Sequence, residues 1–399
     1  MVKKCTCTTL KGTKCKNIVG EKSVDKRFCH LHQQCEKIFL SSRAKKKPSP
    51  KKLPPKIKTP SPPKIKTPSP LSIEPIFRLP SKTPRASITP PKHALKRPIN
   101  SSECENIGGR KNMEDAHILQ TVGNWNIYGV FDGHGADYVS KWLRNNIEDE
   151  VKYLLFANNV KKIKNTNKFS NDFANIILNM DENIFKNTDN FESRYKVSKW
   201  YGGRLMDAGS TLTLALYSRI SKYLFVANVG DSEACIFTES GIIDCAKTHK
   251  PDDPDELKRI KAAGHFVAHY QGAYRVDGNL SLSRAIGDFK FKVDKDDDKI
   301  YLGEEAAITA YPDVLFADLS KQKSDVYIYL CSDGITNALN EKALKDFDSN
   351  IVLTNNIIEL IKKGMPLQQI CDTIIENLLK SASNPQYLDN MTLLLAKLV

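Results

Sequence analysis

The sequence lacks any uncharged apolar run long enough to cross a bilayer, and its N-terminus lacks the apolar core of a signal peptide. We therefore expect a soluble, intracellular protein, either cytoplasmic or nuclear, without a membrane span.

Acidic side chains are scarce in residues 1–100, which hold 25 Lys and Arg but only 4 Asp and Glu, a net charge of +21. The other residues carry a net charge of −7, so only the N-terminal part favours nucleic acid or another acidic partner.

Paired C-x₂-C motifs, the strongest sequence sign of a zinc site, are also missing. Five of the ten cysteines nevertheless lie within the first 35 residues, and the other five are scattered singly. This pattern favours a small metal-binding module on a reduced protein over a disulfide framework. Three thiolates and one imidazole could hold a tetrahedral zinc ion, and the candidate ligands are Cys5, Cys15, Cys29 and His32. Cys7 could replace Cys5, His30 or Cys35 could compete, and the alternative is a set of free cysteines in a disordered tail.

Residues 41–100 contain almost no aromatic side chains and are rich in Pro, Lys and Ser. Such a segment cannot bury enough apolar surface to offset the entropy of ordering it. It includes a near-repeat, PKIKTPSP at 55–62 and 63–70, which favours extended geometry. The sequence therefore predicts a Cys/His-rich module at 1–40, a disordered basic linker at 41–100 and a folded domain at 101–399.

From about residue 101 the sequence alternates between strand-like and helix-like runs, which predicts an α+β protein. Strands are predicted from β-branched and aromatic content at Asn126–Phe131, Ser210–Tyr217, Tyr223–Val229, Ala234–Phe237, Val326–Leu330 and Met391–Leu395. Amphipathic periodicity predicts helices around residues 138–147 and 173–184. A third helix is predicted to begin at Asp253 as N-cap, with Glu256 in the capping-box position and Gly264 after its end.

Aspartates follow or precede several of these strands, at Asp132, Asp231, Asp333 and Asp389. Strands in one sheet could bring these side chains to a common edge, where uncompensated carboxylates would repel each other strongly. Cations are therefore expected among them. The candidate ligands are all oxygen, which favours Mg²⁺ or Mn²⁺ over zinc, and two such ions form a common hydrolytic centre.

Eight motifs surround these acids in order: GGRKNMEDAH at 108–117, YGVFDGHG at 128–135, AGST at 208–211, NVGDS at 228–232, HKP at 249–251, LSLSRAIGD at 280–288, CSDGI at 331–335 and DNMT at 389–392. In this order and spacing the chain resembles the metal-dependent type 2C Ser/Thr protein phosphatases, from about residue 104 to the C-terminus. The resemblance implies a four-layer α/β/β/α sandwich, with two central antiparallel sheets flanked by helices and a dinuclear site at one end.

The resemblance also assigns roles to individual residues. Asp132 would bridge both metals, Gly133 would offer its carbonyl to one of them, and Asp333 and Asp389 would complete the other. Glu114 and Asp115 would hold metal-bound waters. A hydroxide bridging the two ions would then attack the phosphorus of phosphoserine or phosphothreonine.

Two further side chains would act directly on the phosphate ester. Arg110 would bind phosphate oxygens through its guanidinium fork, with a surface arginine as the alternative. His134 would protonate the leaving oxygen, with a structural histidine as the alternative.

Two positions depart from the family pattern. Asn337 stands where an aspartate is usual, and Glu233 stands where an arginine commonly follows GDS. The family can hold a third, weaker metal at positions matching Asp231, Asp333 and Asn337. An amide attracts a dication less than a carboxylate does, so we expect that third site to be weakened.

The sequence therefore predicts a metal-dependent protein Ser/Thr phosphatase that acts on phosphoprotein substrates, with the N-terminal segments used for targeting. A pseudophosphatase that binds phosphoproteins without turnover is one alternative, favoured only by Asn337 and Glu233. A nucleic-acid-associated protein directed by its basic tail is the other.

Overall fold

A computed structural model describes residues 97–158, 163–186, 206–292, 303–340 and 348–399, all within the larger of two units of the chain, Ile73–Val399. The predicted zinc ligands Cys5, Cys15, Cys29 and His32 lie outside the described residues, as does the predicted module at 1–40. The same holds for the predicted linker at 41–100, apart from its last four residues. The structure therefore does not test the predicted zinc site, module or linker.

Strands and helices alternate along the described residues. In chain order the strands are β1 Ser101–Asn106, β2 Ala116–Val122, β3 Trp125–Phe131, β4 Gly133–His134, β5 Gly209–Ser210, β6 Leu212–Ser218, β7 Tyr223–Val229, β8 Glu233–Thr238, β9 Gly241–Cys245, β10 Val267–Tyr270, β11 Ala273–Val276, β12 Ile286–Gly287, β13 Asp313–Asp318, β14 Tyr327–Cys331 and β15 Met391–Lys397. The α-helices are α1 Tyr138–Ala157, α2 Thr166–Lys186, α3 Pro254–Ala262, α4 Asp333–Asn340, α5 Ser349–Lys362 and α6 Leu367–Ser381.

Two five-stranded antiparallel sheets dominate this part of the chain. Sheet A has the strand order β1-β15-β14-β8-β9, and sheet B has the order β13-β7-β6-β3-β2. A short three-stranded sheet, β12-β5-β4, lies at the position of the DGH tripeptide, and β10 and β11 form a hairpin. The predicted α+β class with antiparallel sheets and helices is confirmed.

Three apolar clusters explain why the central strands are buried on both faces. Every residue of β3 is buried, and its side chains alternate between two clusters, Ile127 in one and Tyr128 in the other. The Tyr128 cluster draws side chains from both sheets, including Ile328 of sheet A. The Ile127 cluster joins sheet B to α1 and α2. A third cluster joins the other face of sheet A to α4, α5 and α6.

All six predicted strands are present, with ends displaced by a few residues. The strands β1, β2, β9 and β13 of the two large sheets were missed, as were the short strands β4, β10, β11 and β12. The sequence of β1, SSECEN, has little apolar character, and it becomes a strand because it pairs with β15 along its whole length. Tertiary pairing thus overrides a weak local signal.

The third predicted helix is present as α3, with Asp253 at its N-cap and Pro254 in its first turn. The prediction that Glu256 completes a capping box is wrong. Its side chain is fully buried and binds Arg284 and Arg259 instead, with contacts of 2.7 Å to Arg284 Nη2 and 2.8 Å to Arg259 Nη1. Leaving a buried carboxylate unpaired costs more free energy than leaving a helix end without a side-chain cap, so Glu256 binds the arginines.

Two cysteines of sheet A form a disulfide, so the prediction that the scattered cysteines are reduced thiols is wrong for this pair. Cys235 of β8 and Cys245 of β9 face each other in the strand register and form a disulfide. They are ten residues apart in sequence, a spacing that gave no hint of the pairing because a bulge between the strands sets their register. Cys104, Cys331 and Cys371 are free thiols.

No helix of the described residues combines the length and the apolar character that a membrane crossing needs.

Candidate active site

The DGH tripeptide lies where β3 ends and the short sheet begins. Thr211 fixes the backbone of Asp132 on both sides: the Asp132 N–H donates to Thr211 Oγ1 at 3.0 Å, and the Thr211 N–H donates to the Asp132 carbonyl at 2.9 Å. Gly133 pairs with Ser210 and His134 pairs with Gly209 in the β4–β5 ladder. The tripeptide is therefore held by backbone contacts, which leave its side chains free for chemistry.

Asp132 sits among the other predicted acids. Burial raises its pKa well above the ordinary value for an aspartate, and the charges of the neighbouring acids raise the pKa further. Those acids are Asp115, Asp333, Asp231 and Asp389. The structure thus brings together the four strand-end aspartates, which are as far as 257 residues from one another in sequence, and adds Asp115 to them.

Asp115 and Asp333 respond in the same way to this crowding. Burial raises the pKa of Asp115 to about 6, although its Oδ2 accepts hydrogen bonds from Ser332 Oγ at 2.8 Å and Thr392 Oγ1 at 2.7 Å. Burial and then the charge of Asp231 raise the pKa of Asp333 to about 7. These carboxylates need positive charge nearby if they are to ionise together.

Two basic side chains supply part of that charge. Arg110 Nη2 lies 2.5 Å from Asp389 Oδ2, and Lys250 Nζ forms an ion pair with Asp231 Oδ2. Lys250 comes from the HKP motif, to which the sequence analysis assigned no role. Arg110 was predicted to bind phosphate. Its guanidinium pairs with Asp389, a predicted metal ligand, so Arg110 lies at the carboxylate cluster.

His134 contacts a buried carboxylate rather than one of the clustered acids. Its Nε2 lies 2.7 Å from Asp288 Oδ2. Burial alone lowers the pKa of His134, but the Asp288 carboxylate outweighs it and the net pKa is above the ordinary value. Gly209 makes the contact possible, because a Cβ at that position would lie 2.3 Å from Asp288 Oδ2 and 2.6 Å from His134 Nε2. Asp288 was missed as a site residue, although its motif, LSLSRAIGD, was recognised.

The donor set fits divalent cations on three observations. The cluster is made of carboxylates whose charges help to raise the pKa of Asp132 and of Asp333. Asp115 Oδ1 is buried and has no hydrogen-bond partner among the described residues. Gly133 leaves no space for a side chain, since a Cβ would lie 2.4 Å from the Glu114 carbonyl oxygen. No three His, Cys, Asp or Glu side chains of the described residues already stand at metal-binding distances.

Glu114 is held through its backbone. Its N–H donates to Asn390 Oδ1 at 2.7 Å, and its carbonyl accepts from Ser140 Oγ at 2.5 Å. Asn390 Nδ2 in turn donates to the carbonyls of Ile107 and Asn112. Burial raises the pKa of Glu114 above its ordinary value. Asn390 therefore joins the loop that carries Arg110 and Glu114 to the C-terminal motif, a role that sequence reasoning did not assign.

The two departures from the family pattern lie next to the same acids. Asn337 Nδ2 donates to Asp333 Oδ2 at 2.9 Å, so its amide acts as a donor where a metal ligand must offer oxygen. Glu233 keeps one carboxylate oxygen buried without a hydrogen-bond partner among the described residues. Burial raises the pKa of Glu233 to about 7.

The chain matches a family model over most of its length. The model described as "Protein phosphatase 2C" matches residues 99–390. The chain is also similar to "Protein phosphatase 2C 1" of Paramecium tetraurelia, with 34% identity over 305 residues, 73% of this chain and 89% of that protein.

Two solved structures share the fold. The serine-threonine phosphatase 2C of Toxoplasma gondii superposes with a TM-score of 0.56 and 18% identity, over 76% of this chain and 98% of that one. A phosphatase from a pathogenic strain of the same organism gives a TM-score of 0.54 with 20% identity, over 74% of this chain and 91% of that one.

Proposed function

Because the chain belongs to the protein phosphatase 2C family and is a Ser/Thr protein phosphatase, we propose that its carboxylate cluster holds two Mg²⁺ or Mn²⁺ ions for hydrolysis of phosphoserine and phosphothreonine. The observation that carries this proposal is the convergence of the Asp115, Asp231, Asp333 and Asp389 carboxylates on Asp132 at the end of β3. Bound dications would explain why these acids lie together, because they supply the positive charge that the cluster itself lacks. Phosphoproteins are the substrates that this activity implies.

Each ligand has a defined part in this proposal. Asp132 would serve both ions, the Gly133 carbonyl would serve one of them, and Asp333 and Asp389 would serve the other. Glu114 and Asp115 hold water near the ions through hydrogen bonds, for which the unpartnered Asp115 Oδ1 is available. When bound, the two dications would supply an acidified water as nucleophile and positive charge for the phosphoryl oxygens.

Arg110 and His134 act on the substrate itself. The Arg110 guanidinium moves from Asp389 to the phosphate, because a planar fork with two donors matches two phosphate oxygens. His134 supplies the proton that the leaving serine or threonine oxygen needs as its bond to phosphorus breaks.

A third metal is weakly held in this proposal. Asp231 and Asp333 would supply its carboxylates, but Lys250 already pairs with Asp231 and the Asn337 amide donates to Asp333. An ammonium and an amide donor both oppose a dication at this place.

Hydrolysis of a phosphothreonine peptide by the full chain, with and without Mn²⁺, tests the proposal. We expect turnover that requires Mn²⁺ and that falls at least about 100-fold in Asp132→Asn. Asp207→Asn is the matched control and should keep near wild-type activity, since among the described residues the Asp207 side chain forms only an exposed pair with Lys290. Turnover that is independent of Mn²⁺, or equal in wild type and Asp132→Asn, would refute the two-metal site.

Other inferences extend to the rest of the chain. The three apolar clusters support a four-layer α/β/β/α order for the domain that we assign to residues 101–399. We retain zinc binding by the N-terminal cysteines, an acidic or nucleic-acid partner for the basic tail and an intracellular location as predictions from the sequence. Zinc content of the purified chain, before and after Cys15→Ser, tests the first of them.

A further inference from the structure

The contact between His134 and Asp288 engages one ring nitrogen and leaves the other available. Nε2 lies 2.7 Å from Asp288 Oδ2, and Asp288 is only 1% exposed. Within the described part of the chain, Nδ1 of His134 forms no hydrogen bond. The ring can therefore meet a substrate through Nδ1 while Asp288 holds it through Nε2.

Asp288 is itself fixed by backbone contacts. It adopts a left-handed conformation with φ 51°, and its N–H donates to the Ala208 carbonyl at 2.9 Å. Gly287, the residue before it, donates its N–H to Asp181 Oδ1 at 2.8 Å. The loop that presents Asp288 is thus attached both to the AGST motif and to helix α2.

A buried ion pair anchors the helix side of this attachment. Lys292 Nζ donates to both Asp181 oxygens, at 2.9 and 2.8 Å, and to the Ala285 carbonyl at 3.0 Å, and both side chains are at most 2% exposed. A buried pair contributes little net stability because desolvation opposes the attraction. The pair instead holds the residues on either side of Asp288 in place, since it binds Ala285 and Gly287 before that residue and includes Lys292 after it. Its role is therefore positional.

We propose that Asp288 is a positioning residue that orients His134, and that the Asp181–Lys292 pair fixes the loop carrying it. This inference rests on the proposed function. As the bond between phosphorus and the threonine oxygen breaks, the proton on Nδ1 passes to that oxygen, and water supplies the oxygen that bonds to phosphorus. The products are the free alcohol and phosphate, and the ring is left neutral with its Nε2 proton still donated to Asp288.

Substrates with different leaving groups separate orientation from general structural damage. A threonine alkoxide requires a proton donor, whereas 4-nitrophenolate leaves readily without one. Asp288→Asn suits the test because asparagine tolerates a left-handed backbone. We expect kcat for a phosphothreonine peptide to fall about 10- to 100-fold, with KM little changed, and the loss for 4-nitrophenyl phosphate to be at least about tenfold smaller.

Gly209→Ala gives a second, independent disruption, because its methyl group must separate His134 from Asp288. It should show the same dependence on the leaving group. Asp207→Asn, in the adjacent loop, is the matched control and should affect both substrates equally and little. In the His134→Gln background, Asp288→Asn should cause no further selective loss, since the two residues act as one unit.

The outcomes separate this inference from the proposed function. Equal losses for both substrates in Asp288→Asn and Gly209→Ala, from variants whose thermal melting matches that of the wild type, would overturn the positioning role. An additive loss in the double variant would overturn it as well. Failure of the wild type to hydrolyse either substrate with Mn²⁺ would instead refute the proposed function.

Discussion

Single residues in this protein take their roles from charges that are distant in sequence. Glu256 shows this outside the active site: its position in α3 fits a capping box, yet its carboxylate is fully buried against Arg284 and Arg259. Burial raises the pKa of Glu256, but the two guanidinium groups outweigh it and lower the pKa to about 2. Arg284 also donates to the Tyr311 carbonyl at 2.9 Å, so Glu256 joins α3 to the segment before β13.

Glu256→Gln should lower the free energy of unfolding by about 3 to 5 kcal/mol, because it leaves the buried guanidinium of Arg284 and the partly buried guanidinium of Arg259 without their carboxylate. Glu376→Gln is the matched control, since within the described part of the chain Glu376 forms only an exposed pair with Lys380 one turn away. It should cost less than about 0.5 kcal/mol. Urea denaturation at pH 7 measures both. Equal effects of the two substitutions would contradict the role given to Glu256.

At the scale of elements, sequence reasoning located the strands with strong apolar patterns and missed those that depend on a partner. β3 and β6 were predicted from their β-branched and aromatic residues, and both prove to be buried along their whole length. By contrast, β1 forms through its pairing with β15. The motifs placed Asp132, Asp333 and Asp389 correctly at element ends because turns there are short and local. Asp288 was not assigned to His134, since that contact spans 154 residues and depends on how the small sheet pairs.

His117 links the two sheets at the β1 and β2 strands. Its imidazole lies between two carboxylates of β1, 3.2 Å from Glu103 and 3.3 Å from Glu105. Burial lowers the pKa of His117, but the close contacts with both glutamates and their negative charge raise it to about 9. Because the pKa is higher in the folded state, the contribution to stability is complete below about pH 6.5 and is lost as the pH rises to about 9.

The melting temperature of wild type should therefore exceed that of His117→Asn by an amount that shrinks between pH 6.5 and pH 9. In the Glu103→Gln/Glu105→Gln background this dependence on pH should disappear. Thermal melting at half-unit steps of pH measures both. A difference between wild type and His117→Asn that stays constant over this range would contradict the inter-sheet ion pair.

At the scale of the whole molecule, charge is divided between segments with different chemistry. Residues 1–100 carry a net charge of +21, whereas the rest of the chain is acidic and contains the cluster around Asp132. The motifs predicted the family, which the family model and the relatives confirm, whereas the roles that they assign to individual site residues stay predictions. The sequence could not predict the ion pairs that Arg110 and Lys250 form with these acids, since those pairs depend on the positions of flexible side chains in the folded cluster.

The most direct test of the central claim, that the cluster binds two dications around Asp132, is the stoichiometry of Mn²⁺ binding to the full chain. Equilibrium dialysis gives the number of ions, and electron paramagnetic resonance reports whether they are magnetically coupled. We expect two coupled Mn²⁺ ions in wild type and in Asp207→Asn, and loss of the coupled pair in Asp132→Asn, because that carboxylate would be a ligand of both ions. A coupled pair that persists unchanged in Asp132→Asn, or a wild-type chain that binds no pair, would contradict the account.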